Sequence, residues 1–225
     1  MLAAMPAGPC CGAHCDAAAR LFDAAVAARE RARYRKRGPD ARTRRLLHAI
    51  HALGLTNPTI LDVGSGLGIV SLELLEAGAA TATLADASTA YLDAARVLAA
   101  EAALADRMRF VAGDFVETAP RIDPADVVVL DRVVCCYPAY ERLLAAAASH
   151  CRRALAITAP RHRLDIRLVL GLENTRRRLS GNAFRSFVHR PEAMDAVLRQ
   201  SGLRRHRHSA TFIWNVDLYV WGGES

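Results

Sequence analysis

Three glycines alternate in the stretch "TILDVGSGLGIVSLELLEAGA", at Gly64, Gly66 and Gly68, behind an apolar run that carries Asp62. Residues without side chains let bare backbone approach a ligand, and the helix pattern that follows offers its first amides to the same place. Ser65 sits inside the turn. The spacing departs from the dinucleotide fingerprint G-x-G-x-x-G: the third glycine falls one position early, and Ile69 stands where it should be. Further acids follow in order: Asp86 before Ala87 in "TLADAS", Asp114 before Phe115 in "FVAGDF", and Asp131 before Arg132 in "DVVVLDRV". An acid ending the second strand can accept both hydroxyls of a ribose. Asp114 can accept from an adenine amino group, with Phe115 against the ring. Asp62, close to the turn, suits a cationic ligand and opposes a pyrophosphate. Each acid alone serves equally well as a cap or a turn residue. Their succession at strand ends is what argues for a nucleoside site.

Alternating elements must hold these residues. "TILDVG", "ATATLADA", "RMRFVAGD", "ADVVVLDR" and "ALAITAP" read as short, nearly continuous apolar strands, with helical stretches between them. That rhythm predicts an α/β fold with a doubly wound, mostly parallel, seven-stranded sheet. Ser88 is placed to cap the helix running through Ala103. Pro191 and Gly202 suit the start and end of a late helix, and the final residues read as an antiparallel hairpin turning near Trp214–Asn215. Three regions are expected: a flexible tail over 1–15, an N-terminal helical cap over 16–56, and the sheet domain over 57–225. The cap opens with a single helix from Asp16 to Arg37. An arginine-rich, partly helical insertion over 161–190 interrupts the sheet domain.

The series "LDVGSGLG", "LADAS", "AGDF" and "DVVVLDRV" resembles the class I S-adenosylmethionine-dependent methyltransferases over roughly Thr59 to Pro160. By that resemblance S-adenosyl-L-methionine is the cofactor. Gly64, Gly66 and Gly68 cradle its methionine part, Asp86 holds the ribose and Asp114 with Phe115 reads adenine; Asp62, Ser65 and Ala87 are expected among the cofactor-binding residues. Asp131 and Arg132 face the transfer centre, and Tyr34 reaches the cofactor from the helical cap. A narrower likeness joins "DRVVCCYP" and the run "FRSFVHRPEAMDAVLRQSGLRRHRHSATFIWNVDLYV" to the magnesium-protoporphyrin O-methyltransferases, which esterify a propionate. It implies a cap and an insertion that enclose the acceptor.

The acceptor must be inferred from residues beyond the fourth and fifth strands. Methyl transfer needs alignment and exclusion of water, and an already ionised carboxylate needs no base. Asp131, Arg132, Tyr137 and His189 are the candidate catalytic groups. Cys135 and Cys136 lack the Pro-Cys setting of a cytosine-attacking nucleophile and read as packing. Asp131-Arg132-Val133-Val134 does not carry the Pro-Pro-aromatic sequence of enzymes that methylate base amines. Arg161, His162, Arg163, Arg167, Arg176, Arg177, Arg178, Arg185, His189 and Arg190 crowd the insertion; arginines turned inward would pair with a carboxylate or phosphate, and the two histidines are possible bases. The expected activity is methylation, at oxygen, of a small anionic molecule. The alternatives are an RNA methyltransferase using the basic block "RERARYRKR" with "RTRR", or a cofactor-binding subunit without turnover.

Bulk properties bound this picture. The chain has 225 residues, 52% hydrophobic, enough for one sizeable core. Its net charge of +7 comes almost wholly from arginine, Lys36 being the only lysine, so the charge alone does not argue for nucleic acid. No long apolar run or signal pattern appears, which predicts a cytoplasmic protein with free thiols and no membrane span. Cys10, Cys11, His14 and Cys15 in "CCGAHC" have no paired second half, so no metal site is expected.

Overall fold

A computed structural model describes residues 12–222. Seven strands form one sheet in the order β3-β2-β1-β4-β5-β7-β6. They are β1 (Thr59–Val63), β2 (Thr81–Asp86), β3 (Met108–Ala112), β4 (Ala125–Asp131), β5 (Cys151–Pro160), β6 (Leu203–Ala210) and β7 (Trp214–Trp221). The first five run parallel, and β7 is antiparallel to both β5 and β6. The expected mostly parallel α/β sheet with a terminal antiparallel hairpin is present. The hairpin turns over Thr211–Ile213, ahead of the expected Trp214–Asn215. Thr211 closes it, its backbone amide donating to the Trp214 carbonyl at 2.8 Å and its hydroxyl accepting from the Trp214 amide at 3.0 Å.

The apolar strands sort their side chains onto two faces, as a period of two requires. Ile60, Val127, Val129, Ala154 and Ala156 bury one way, against α3 (Ala41–His51), α4 (Ile69–Glu76) and α5 (Thr89–Glu101). Leu61, Val63, Val128, Leu130, Leu155 and Ile157 bury the other way, against α7 (Tyr140–Ser149) and α9 (Pro191–Gln200). Each fully buried Leu, Ile or Val contributes about 1.5–3 kcal/mol. Strand order reverses between β1 and β4, so the carboxyl ends of β1, β2 and β4 open a crevice at that switch point. A short α6 (Phe115–Thr118) follows β3.

The N-terminal region departs from expectation. It holds two helices where one was predicted: α1 (Gly12–Leu21) and α2 (Ala24–Arg37). Asp23 causes the break, because its carboxylate caps the Val26 amide at 2.9 Å in extended backbone geometry. α1 begins inside the stretch expected as tail, and residues 1–11, with Cys10 and Cys11, lie outside the described residues. The Ser88 hydroxyl caps α5 and also donates to the Phe22 carbonyl at 2.7 Å, pinning the end of α1 beside the second strand. The insertion holds α8 (Leu164–Leu179).

Candidate active site

A cleft of about 650 Å³ opens over the switch point. Its base is the turn after β1. Gly64, Gly66 and Gly68 all adopt positive φ, at 61°, 55° and 69°. A side chain at Gly64 would put its Cβ 2.5 Å from Val133 Cγ2, and one at Gly68 would strike Leu84 at 2.4 Å. Both glycines let a neighbouring side chain pack closely, but only Gly64 and its neighbour Val133 line the cleft, whereas Gly68 packs the loop on β2. Ser65 leaves a buried hydroxyl with no partner in this loop.

Asp86 holds the turn from the next strand. Its Oδ2 accepts from the Gly66 amide at 2.7 Å and its Oδ1 from the Ser88 amide at 2.8 Å. Burial pushes its pKa up, and the two amides only partly offset that. Each carboxylate oxygen keeps further acceptor capacity. Asp114 lines the same cleft and caps α6 through the Val116 amide at 2.9 Å. The Tyr137 hydroxyl donates to Asp114, 2.9 Å from both carboxylate oxygens. Ala87 and Phe115 complete this side.

Asp131 is surrounded by donors. Arg42 grips it in a fork, Nε to Oδ1 at 2.8 Å and a terminal nitrogen to Oδ2 at 3.2 Å. Thr43 donates to Oδ2 at 3.0 Å and Thr158 to Oδ1 at 2.5 Å. The carboxylate anchors α3 to the ends of β4 and β5. The next residue, Arg132, is held at φ 66°, a backbone region that costs a non-glycine residue about 1–3 kcal/mol and concentrates at functional sites. Its guanidinium is 3.9 Å from Glu30. Beneath the cleft, Asp62 is buried with Ser71 donating to it at 2.9 Å. Burial, with the nearby charges of Asp131 and Asp86, raises its pKa to about 7.

Gly64, Gly66, Asp86, Ala87, Asp114, Phe115, Asp131, Arg132 and Tyr137 thus share one cleft. Five sequence candidates stand outside its lining: Asp62, Ser65 and Gly68 lie beneath or behind the turn, and Tyr34 and His189 are held elsewhere. Tyr34 donates to Glu73 on α4 at 2.9 Å, because the break at Asp23 turns α2 onto the outer helices and brings α1 over the cleft instead. His189 is 3.0 Å through Nε2 from the Val134 carbonyl and packs between Tyr140 and Phe187; burial lowers its pKa. Sequence reasoning missed Leu21, which ends α1, and Phe22 just after it, whose only signal was an apolar pair before a capping aspartate. It read Cys135 and Cys136 as packing, yet both line the cleft with their sulfurs 3.7 Å apart.

The insertion also differs. Of its crowded arginines only Arg177 lines the cleft. It bridges Glu173 and Ser186 and lies over the Phe184 ring. Ile166, Val169 and Leu170 of α8, with Phe212, Ile213 and Trp214 of the hairpin, make the far wall apolar. The basic block of the helical cap is likewise divided, since Arg42 is buried against Asp131 and Arg35 pairs with Glu101. Among the described residues no group of three or more His, Cys, Asp or Glu is placed to hold a metal ion. None of their helices is long and apolar enough to cross a membrane.

Sheet order, glycine turn and the acids after it define a class I methyltransferase fold. Residues 60–156 match the family model described as a methyltransferase domain. Domains of this class take S-adenosylmethionine as methyl donor, and the open turn, the orphaned Ser65 hydroxyl and Asp86 fit that group.

No protein of curated function matches the chain. Among solved structures it is similar to magnesium protoporphyrin IX methyltransferase from Synechocystis PCC 6803 with bound SAH. That likeness has a TM-score of 0.67 and 19% identity, over 80% of this chain and 82% of that one. An O-methyltransferase family protein from Burkholderia thailandensis is 19% identical with a TM-score of 0.63, over 82% of this chain and 59% of that one. The 4+2 cyclase SpnF is 13% identical with a TM-score of 0.60, over 79% and 80%. The same fold thus hosts different reactions, and the acceptor has to be argued from side chains.

Proposed function

We propose that this protein transfers a methyl group from S-adenosylmethionine to a carboxylate oxygen of a small, largely apolar acid. The observation carrying this reading is a single cleft that joins the glycine turn and Asp86 to an apolar chamber. Arg132 and Arg177 are its only cationic linings among the described residues. The donor supplies a methyl already activated on a positively charged sulfur. The backbone at Gly64 and Gly66 would give it room, Asp86 would accept from its ribose, and Asp114, oriented by Tyr137, would accept from its adenine. The half-buried Phe22 and buried Ile166 limit water on the acceptor side, which strengthens the charge interactions inside.

The choice of acceptor atom follows from the bases. The Tyr137 proton is given to Asp114, the Asp131 oxygens accept from Arg42, Thr43 and Thr158, and His189 Nε2 faces a backbone carbonyl. An acceptor ionised before it binds suits such a site, and its charge suits Arg132 and Arg177. The test is transfer of labelled methyl from S-adenosylmethionine to panels of apolar carboxylic acids, phenols, amines and tRNA. Formation of base-labile esters is expected. Transfer confined to amines or tRNA would reject the proposal.

A further inference from the structure

Helix α8 is built inside out. Ile166 is buried and Leu170, Glu173 and Arg177 line the cleft, whereas Leu164, Leu168, Leu172 and Leu179 are 70%, 65%, 73% and 85% exposed. At about 3.6 residues per turn these four leucines fall on one face, a stripe along a helix about 24 Å long. Arginines edge the stripe, Arg176 on one flank and Arg167 and Arg178 on the other, all three exposed. The acids of the helix are already paired, Asp165 with Arg163 and Glu173 with Arg177. The β6–β7 turn continues the apolar surface. Val169, Phe212 and Ile213 line the cleft and are also exposed, at 60%, 70% and 46%. These three residues carry apolar surface from the chamber toward the leucine stripe, with the Arg163 guanidinium lying 4.9 Å over the Phe212 ring.

We propose that the outer face of α8, with the tip of the β6–β7 hairpin, docks this protein on an anionic lipid bilayer. A helix with leucines on one side and arginines flanking them seats its apolar face at the acyl boundary and its cations among the headgroups. A second copy fits less well. A two-fold pairing of the stripe would set arginine flank against arginine flank, with no unpaired acid on the helix to answer them. The docked orientation turns the cleft mouth toward the bilayer, so an apolar acid dissolved there reaches the chamber along Val169, Phe212 and Ile213. This delivery route rests on the proposed function; the docking surface does not.

The test uses the full chain and phosphatidylcholine vesicles with and without phosphatidylglycerol, at low salt. The wild type is expected to sediment with the anionic vesicles. The Leu168→Glu/Leu172→Glu variant should lose affinity about 10-fold or more. Arg167→Gln/Arg176→Gln/Arg178→Gln should lose a factor of about five per charge. Neither variant touches the cleft, so unchanged S-adenosylhomocysteine titrations establish that both fold. Three results would overturn the proposal: no binding of the wild type to anionic vesicles, equal binding to neutral ones, or a wild-type dimer that Leu168→Glu/Leu172→Glu converts to monomer. Vesicle binding by a protein that takes no S-adenosylhomocysteine would keep the docking surface and reject the catalytic reading.

Discussion

The Arg42–Asp131 pair allows the sharpest energetic prediction. Arg42→Ala removes a forked partner from a carboxylate whose side chain is 13% exposed, the arginine itself being 7% exposed. Removing one member of a buried ion pair typically costs about 3–5 kcal/mol, because the remaining charge stays desolvated. The Thr43 and Thr158 hydroxyls still donate to Asp131 and hold the loss to the lower end, about 3 kcal/mol. For a chain of this size that is a fall of roughly 6–12 °C in melting temperature. Arg42 also lies 5.2 Å from the Trp214 ring and 3.1 Å from Asp40, so truncation removes more than one contact. A double-mutant cycle with Asp131→Asn isolates the pair, with an expected coupling of about 2 kcal/mol. Chemical denaturation of the four proteins gives the numbers. A total loss below about 1 kcal/mol, the range of exposed pairs, would refute the claim that this pair anchors α3 to the sheet.

Other perturbations follow from the same contacts. Gly64→Ala forces a side chain into Val133 at positive φ; it should lower stability by about 1–3 kcal/mol and weaken cofactor binding more than Gly68→Ala does, as read by calorimetry. Asp62 has a folded pKa raised to about 7, above its unfolded value, so the folded state holds the proton more tightly. That contribution is full at acid pH and fades as pH rises through about 7. Asp62→Asn should therefore gain stability relative to wild type between about pH 4 and 7 by a few kcal/mol, and a pH-independent difference would contradict the assignment. Cys136 has its pKa lowered by a hydrogen bond from Cys135 and by Arg132 and Arg177, whereas Cys135 is raised. A maleimide should label Cys136 before Cys135, and more slowly when S-adenosylhomocysteine is bound; preferential labelling of Cys135 would count against this.

How much of this was legible in the sequence depends on how local each signal is. The glycine turn and Asp86 lie 20 residues apart and meet through neighbouring strands, and short strand–helix rhythm suffices to predict that. Asp131 meets Arg42 across 89 residues, and no local pattern announces such a partner. The break at Asp23 changes which helix covers the cleft, so one missed cap moved Tyr34 out and Phe22 in. The insertion misled for another reason. Apolar stripes on helices ordinarily face inward. Here Leu164, Leu168 and Leu172 face outward, and a side bearing Glu173 and Arg177 faces the cleft.

Binding of S-adenosylhomocysteine to wild type and to Asp86→Ala, followed by isothermal titration calorimetry, bears most directly on the account. One site per chain is expected, with affinity falling about 100-fold or more when the carboxylate proposed to accept from the ribose is removed. No heat with the wild type, or an affinity that Asp86→Ala leaves unchanged, would contradict the account at its base.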